Sequence, residues 1–423
     1  MPSEPGAAGT AQASRAATGQ LWLAALLFVY LLLVGVSTIG AGFKWVSGGA
    51  DGAAAIFAFA SNPVVGVILG TLATALVQSS STVTSVIVGL VAGGVPVAIA
   101  VPMIMGANMG TTITNSIVSL GNLRERGAFR ASFEAATVHD FFNLYSIVVF
   151  LPVEVLLHPL ERSGAALAAA LSGGPDASVG GFNPVGAVTK PVSGLIQGVF
   201  AALPTTPGAL LTIAVGIALI VVSVLSLGRL LRAAMTGRAK GIIDMAVGRG
   251  PFTGILSGTL VTVLVQSSST TTSLVVPLAG AGVLSTRQIY PFTLGANIGT
   301  CVTALLAATA IVGPNQELAL QIALVHLTYN VAGVALFMAV PFLRDLPLHS
   351  SAWLGRRVED NRAWALAYLG ALFFALPGAV FAAEYLLDRP QPPLPTAVCD
   401  SREMTCLRDE IERWLTRQMP IIQ

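Results

Sequence analysis

The chain has 423 residues, 54% of them apolar and only 10% charged, with a net charge of +2 and a mean hydropathy of +0.78. So few charges cannot cover the surface of a water-soluble body of this size, and there is no basic excess of the kind that binds nucleic acid. Apolar runs approaching the ~20 residues of a membrane span recur along the chain, without the alternation of a β-barrel. Backbone groups in lipid must be satisfied within their own segment, so the predicted fold is an all-α polytopic membrane protein.

Residues 1–19 are rich in Ala, Gly and Ser and are expected as a disordered tail. The run 21–41 is too long for an ordinary signal segment and reads as a retained helix. Further spans are expected over 143–157, 209–227, 318–341 and 363–382. Lys and Arg gather at Arg124, Arg126 and Arg130, at Arg229, Arg232, Arg238, Lys240 and Arg249, and at Arg344, Arg356, Arg357 and Arg362. By the positive-inside rule those connections are cytoplasmic, whereas 158–207, with only Arg162 and Lys190, reads as an extracytoplasmic loop. Cys301 sits in an apolar segment, Cys399 and Cys406 in a polar tail where a small-loop disulfide and two free thiols are both open. The cysteines and histidines have no transition-metal spacing.

The chain repeats itself. Residues 63–96, with VQSSST at 77–82, return at 251–283 with VQSSST at 265–270. GANMGTTIT at 106–114 returns as GANIGTCVT at 295–303, and TVHDFFN at 137–143 as LVHLTYN at 324–330. Landmarks in the same order, each about 188 residues on, mark a tandem duplication. The connection after GANMGTTIT carries Arg124, Arg126 and Arg130, but its counterpart at 312–317 carries no Lys or Arg. That reversal of charge bias predicts inverted-topology repeats, as many secondary transporters have. The expected organisation is a tail (1–19), repeat 1 (20–157), an extracytoplasmic loop (158–207), repeat 2 (208–342), a basic cytoplasmic loop with the last span (343–385) and a C-terminal tail (386–423).

Each repeat buries a polar run: Gln78, Ser79, Ser80, Ser81 and Thr82, then Gln266, Ser267, Ser268, Ser269 and Thr270. One or two such residues would serve as glue between helices, but two matched runs require a cavity to satisfy them. A helix broken there would aim N–H groups and the positive end of its dipole at an anion. In the GAN-x-G-T segments glycine permits close approach and irregular backbone, and Asn108, Thr111 and Thr114, with Asn297, Thr300 and Thr303, offer oxygens suited to Na⁺. Tight helix packing is the competing account. The third landmark holds His139, Asp140 and Asn143, against His326 and Asn330. An acid at membrane depth is costly and points to function, here a cation site. The histidines fit either a hydrogen bond to a neighbouring helix or a proton relay. Asp140 has Leu327 as its counterpart.

Together, the doubled VQSSST and GAN-x-G-T segments, with ATVHDFFN followed by LPVE, resemble the type II sodium–phosphate cotransporter family over residues 40–385. The resemblance implies two inverted repeats with hairpin-like broken segments. Phosphate would be held by Gln78, Ser79, Ser80 and Ser81 with Gln266, Ser267, Ser268 and Ser269. It implies a sodium site at Asn143, Thr300 and Thr303, with Asn122 and Glu125 where family members have Gln and Asp, and Ala296 where they have Ser. Asp140 stands where electrogenic members carry an acid, and Glu134 stands where they carry alanine. The expected function is sodium-driven phosphate uptake by alternating access at a plasma membrane of the bacterial inner-membrane type. Na⁺ is then a co-substrate, and no cofactor is expected. Phosphate, sodium and the lipid bilayer are the expected partners; oligomeric state, stoichiometry and the side of the C-terminal tail stay open. Alternatives are another tetrahedral oxyanion such as sulfate or arsenate, a phosphate sensor without flux, and an intramembrane serine hydrolase. The hydrolase fits poorly, since a nucleophile needs one positioned serine and one base rather than six serines in duplicate.

Overall fold

The structure, a computed structural model, describes residues 7–172, 184–246 and 249–387. Among these every regular element is helical. The chain divides into two compact units, Met1–Pro377 and Gly378–Gln423, and of the second only helix through Leu387 is described. The 386–423 tail with Cys399 and Cys406 therefore lies almost wholly outside the described residues.

In chain order the helices are α1 (Ala7–Ser47), α2 (Ala50–Ile56), α3 (Pro63–Val77), α4 (Ser80–Ala92), α5 (Val97–Thr111), α6 (Ile113–Ser119), α7 (Arg126–Leu157), α8 (Pro159–Ser172) and α9 (Pro184–Phe200). They continue as α10 (Thr205–Ala246), α11 (Pro251–Val265), α12 (Ser268–Gly280), α13 (Thr286–Thr309), α14 (Gln316–Ala339), α15 (Pro341–Asp360), α16 (Ala363–Gly370) and α17 (Leu376–Leu387). A π-helical turn, Ala371–Ala375, joins the last two. Among the described residues seven helical stretches are long and apolar enough to cross a membrane: Gln20–Ser47, Val97–Asn122, Arg126–Leu157, Thr205–Leu231, Thr286–Thr309, Gln316–Ala339 and Ala363–Ala383. The protein is an integral, multi-pass membrane protein.

The duplication organises the packing. α1 and α10 open the two repeats and pair with each other, Gly35 against Gly216 and Gly42 against Ile213. α3 then packs along α5, and α11 along α13. In both pairs glycines set the approach: Gly70 lies against the Met103 carbonyl and Gly106 against that of Val67, while Gly258 meets the Phe292 carbonyl and Gly295 that of Ile255. Thr71 Oγ1 donates to Gly106 O at 3.2 Å, and Thr259 Oγ1 to Gly295 O at 3.1 Å. Small residues at such crossings let membrane helices touch backbone to backbone. Gly258→Ala would drive a methyl into the Phe292 carbonyl, at a cost of about 1–3 kcal/mol. The detergent-solubilised variant should unfold at a lower temperature than wild type; an unchanged midpoint would contradict this packing.

Four expectations change. The backbone of residues 7–19, expected as a disordered tail, is helical and extends α1; its alanines favour helix. The 158–207 loop holds α8 and α9. Leu160 and Ala168 of the Ala-rich α8 are buried, and Gly164 lies against Val325 of α14, so apolar contacts stabilise a helix inside the connection. The basic loop after residue 343 is mostly α15, which packs on α7 through Leu354 and Val358. The GAN-x-G residues of both segments are helical rather than unwound, since their glycines are used for the helix crossings, and only the first segment breaks, at Thr112 between α5 and α6.

Candidate functional site: paired helix breaks and an interlocked polar core

The sequence VQSSST produces the same local structure twice. α3 ends at Gln78, whose φ of 58° places it in the left-handed region; Ser79 is extended, and α4 starts at Ser80. In the second repeat Gln266 (φ 54°) ends α11, Ser267 is extended, and α12 starts at Ser268. These helices have 15, 13, 15 and 13 residues, roughly 20 Å each at 1.5 Å per residue, too short for a ~30 Å hydrocarbon core. Ser79 caps α4 by accepting from Thr82 N at 3.2 Å and Thr82 Oγ1 at 2.9 Å. Ser267 caps α12 in the same way, accepting from Thr270 N at 3.3 Å. The first two N–H groups of each second helix, on Ser80 and Ser81 and on Ser268 and Ser269, are left without an intrahelical acceptor, as at any helix start. The hydroxyls of Ser80, Ser81 and Ser268 make no hydrogen bond to described residues, whereas Ser269 shares one with Ser267 at 3.3 Å.

Both glutamines are engaged in the protein. Gln78 donates to the Ala75 carbonyl and accepts from Thr114 Oγ1 at 2.6 Å; Gln266 donates to the Val263 carbonyl at 2.7 Å and accepts from Thr303 Oγ1 at 2.8 Å. Each break is thus latched to the last threonine of a GAN-x-G-T segment, on α6 in the first repeat and on α13 itself in the second. Asn115, next to Thr114 on α6, accepts from Thr272 Oγ1 of α12 at 2.8 Å, and Thr272 also donates to Ser268 O at 2.9 Å. The first turn of α6 therefore ties the first break to the helix that starts at the second.

Between the repeats the polar residues interlock by exchange. Asn297 of α13 donates to Asn143 Oδ1 at 2.8 Å and accepts from His139 Nε2 at 2.7 Å. Its counterpart Asn108 of α5 donates to Asn330 Oδ1 at 2.7 Å and accepts from His326 Nε2 at 3.1 Å. Swapping the repeats maps one set of bonds onto the other. With each asparagine oxygen accepting, both imidazoles carry their proton on Nε2, and Asn115 Nδ2 donates to His139 Nδ1 at 3.5 Å. The histidines join neighbouring helices, the first of their two sequence readings. Thr111 and Thr300 bond to carbonyls of their own helices, Ala107 and Ala296. Cys301 is buried and packs beside Asn330.

The symmetry fails around Asp140. Asp140 is fully buried on α7; its Oδ2 accepts from Ser116 Oγ at 3.3 Å and from Tyr368 OH at 3.0 Å, while its Oδ1 has no partner. Asn115, Ser116 and Asp140 correspond to Ala304, Leu305 and Leu327, and Tyr368 comes from α16 beyond both repeats. A buried carboxylate with one bare oxygen is costly unless a cation or proton completes it. Asn122 and Glu125, expected beside sodium, lie apart from this core. Asn122 is half-buried against Gly280, and Glu125 is exposed at the start of α7. Glu134 has a structural explanation: it pairs with Arg130 at 2.9 Å, which also holds Glu359 of α15 at 2.8 Å, and Gly355 leaves room for it. Among the described residues one group of side chains has metal-ligand spacing, Glu154, His158 and Glu161. Both Glu154 oxygens there are taken by Leu160 N at 2.7 Å and Glu161 N at 3.0 Å, capping α8.

Sequence reasoning missed Asn115, Ser116, Thr272 and Tyr368. The polar run 111–116 was a readable signal for the first two. The contact of Tyr368 with Asp140 has no local sequence signature.

A duplicated membrane protein with a broken helix in each half and a buried polar seam between the halves is the class that this architecture defines. The chain matches the Na⁺/Pi-cotransporter family over residues 31–163 and 219–377, and it belongs to that family. It is 33% identical to the sheep protein called sodium-dependent phosphate transport protein 2A, over 84% of this chain and 66% of that one. It is 32% identical to human sodium-dependent phosphate transport protein 2B, over 84% of this chain and 64% of that one. The chain thus spans a little under two thirds of these relatives' length. No solved structure matches it.

Proposed function

We propose that the chain imports inorganic phosphate, driven by sodium ions, by alternating access between two inverted repeats in a plasma membrane of the bacterial inner-membrane type. The observation that carries this reading is the pair of helix starts at Ser80 and Ser268, each with free N–H groups and serine hydroxyls. Hydroxyls and dipole ends hold a tetrahedral anion without fixed charge, so the anion can also leave. In this reading Ser80, Ser81, Ser268 and Ser269 bind phosphate, while Gln78, Ser79, Gln266 and Ser267 hold the breaks in shape. Sodium completes Asp140, beside Ser116 and Tyr368. The exchanged asparagines Asn108, Asn143, Asn297 and Asn330, with Thr111, Thr114, Thr300 and Thr303, supply the remaining oxygens near the seam. Asn122 and Glu125, outside that seam, serve the approach of cations. The activity is transport rather than catalysis, and Na⁺ is a co-substrate.

The membrane potential then acts on net charge, at roughly 2.3 kcal/mol per elementary charge per 100 mV. Uptake of labelled phosphate into proteoliposomes should vanish when choline replaces Na⁺, and uptake that continues unchanged would rule out the coupling. Asp140→Leu, which copies the second repeat, should lose current per phosphate while retaining some uptake. Undiminished current per phosphate would remove Asp140 from the cation site. Sulfate and arsenate as competitors in the same assay distinguish phosphate from other tetrahedral anions.

A further inference from the structure

A cavity of about 250 Å³ opens where α11 and α13 begin, α14 ends and α15 packs across them. Its apolar wall is Pro251, Pro291, Met338 and Leu348, and its polar end holds Arg287, Arg344 and Tyr290. Asp345 pairs with Arg287 at 3.4 Å and accepts a hydrogen bond from Arg344 Nε, also at 3.4 Å. One carboxylate against two guanidiniums leaves an excess positive charge. Arg344 beside Asp345 holds its carboxyl below the usual range, so the group stays ionised at neutral pH. Tyr290, 1% exposed, lines the cavity together with Arg287 and Arg344, with a buried hydroxyl that has no partner among the described residues.

Surroundings decide what fits. Thr286–Thr309 and Gln316–Ala339 are membrane-length helices, so the ends that line the cavity lie at the bilayer boundary. Phe252 and Phe342, 76% and 72% exposed, follow Pro251 and Pro341 on adjoining helix starts, as side chains facing acyl chains would be. A free ion needs no apolar wall. A phospholipid needs both parts: a seat for its phosphate and a channel for the start of its chains. Basic pockets between helices on the cytoplasmic side suit anionic headgroups, and Arg229, Arg232, Arg238, Lys240 and Arg249 precede α11 on that side by charge bias. The geometry points to a binding site for an anionic phospholipid of the cytoplasmic leaflet, its phosphate between Arg287 and Arg344 and within reach of the Tyr290 hydroxyl. The inference is independent of the transported substrate.

The test uses the full chain, purified and delipidated in detergent, with retained lipid read by native mass spectrometry. Phosphatidylglycerol and phosphatidylcholine with the same acyl chains are compared, with inorganic phosphate as competitor. Phosphatidylglycerol should bind about tenfold tighter than phosphatidylcholine, and Arg287→Gln/Arg344→Gln should abolish that preference. Inorganic phosphate should not displace the lipid. Equal binding of the two lipids, or a preference that survives in the double variant, overturns the proposal. Displacement by inorganic phosphate, lost in the same variant, makes the occupant the free ion and also overturns it. Should the double variant fail to fold, Met338→Trp, which fills the apolar half, carries the test: it should weaken retention of phosphatidylglycerol, and retention at the wild-type level overturns the site.

Discussion

Ser80→Ala/Ser268→Ala is expected to raise the phosphate concentration for half-maximal uptake by about 100-fold or more while leaving stability nearly unchanged. Each hydroxyl lost from a charged ligand costs roughly 1.5–3 kcal/mol, and the two breaks contribute one each. Stability is spared because these serines stand at the first helical position, one past the cap. The neighbouring pair should behave in the opposite way. Ser79→Ala and Ser267→Ala remove the side chains that cap α4 and α12, at about 1 kcal/mol of stability each. Uptake titrations and thermal unfolding on all four variants separate the roles. If Ser80→Ala/Ser268→Ala keeps wild-type half-saturation, the helix starts are not the phosphate seat.

The second large effect concerns the seam. Asn297→Leu should destabilise the protein by roughly 2–6 kcal/mol, because it leaves His139 and Asn143 buried with lost partners, each costing about 1–3 kcal/mol. Asn108→Leu should match it, since Asn330 and His326 lose the corresponding bonds. Unfolding midpoints in detergent check both. Two similar losses would mark the exchange as symmetric in energy as well as in geometry. A loss at Asn297 alone would put the weight on the half that carries Asp140.

Much of this was legible in the residues, for identifiable reasons. The duplication and the three polar landmarks survive in sequence because each break needs its own Gln and Ser and each crossing its own Gly. Helices Val97–Asn122 and Thr286–Thr309 escaped notice as spans. They are the least apolar of the seven stretches and the most deeply buried in the protein. A helix wrapped in protein need not resemble lipid, so the spans that carry the site are the least apolar. α15 looked like a loop because its charges, Arg344, Asp345, Arg356, Arg357, Glu359 and Asp360, outweigh the few residues that dock it. Asp140 was visible as an acid at membrane depth, but its partners were not. Ser116 is near in sequence only through the turn that separates α6 from α7, and Tyr368 is 228 residues away.

The exchanged asparagines have a consequence for how the halves depend on each other. The side chains of Asn108 and Asn297 each find their partners in the opposite half, so neither half has a complete polar interior alone. Separately expressed halves should therefore complement each other in one membrane. A true homodimer would be bound to even parity, with every charged ligand present twice. Joining the copies lifts that restriction: an acid can stand at 140 while leucine stands at 327, and the core of an otherwise twofold architecture can hold an odd number of charges.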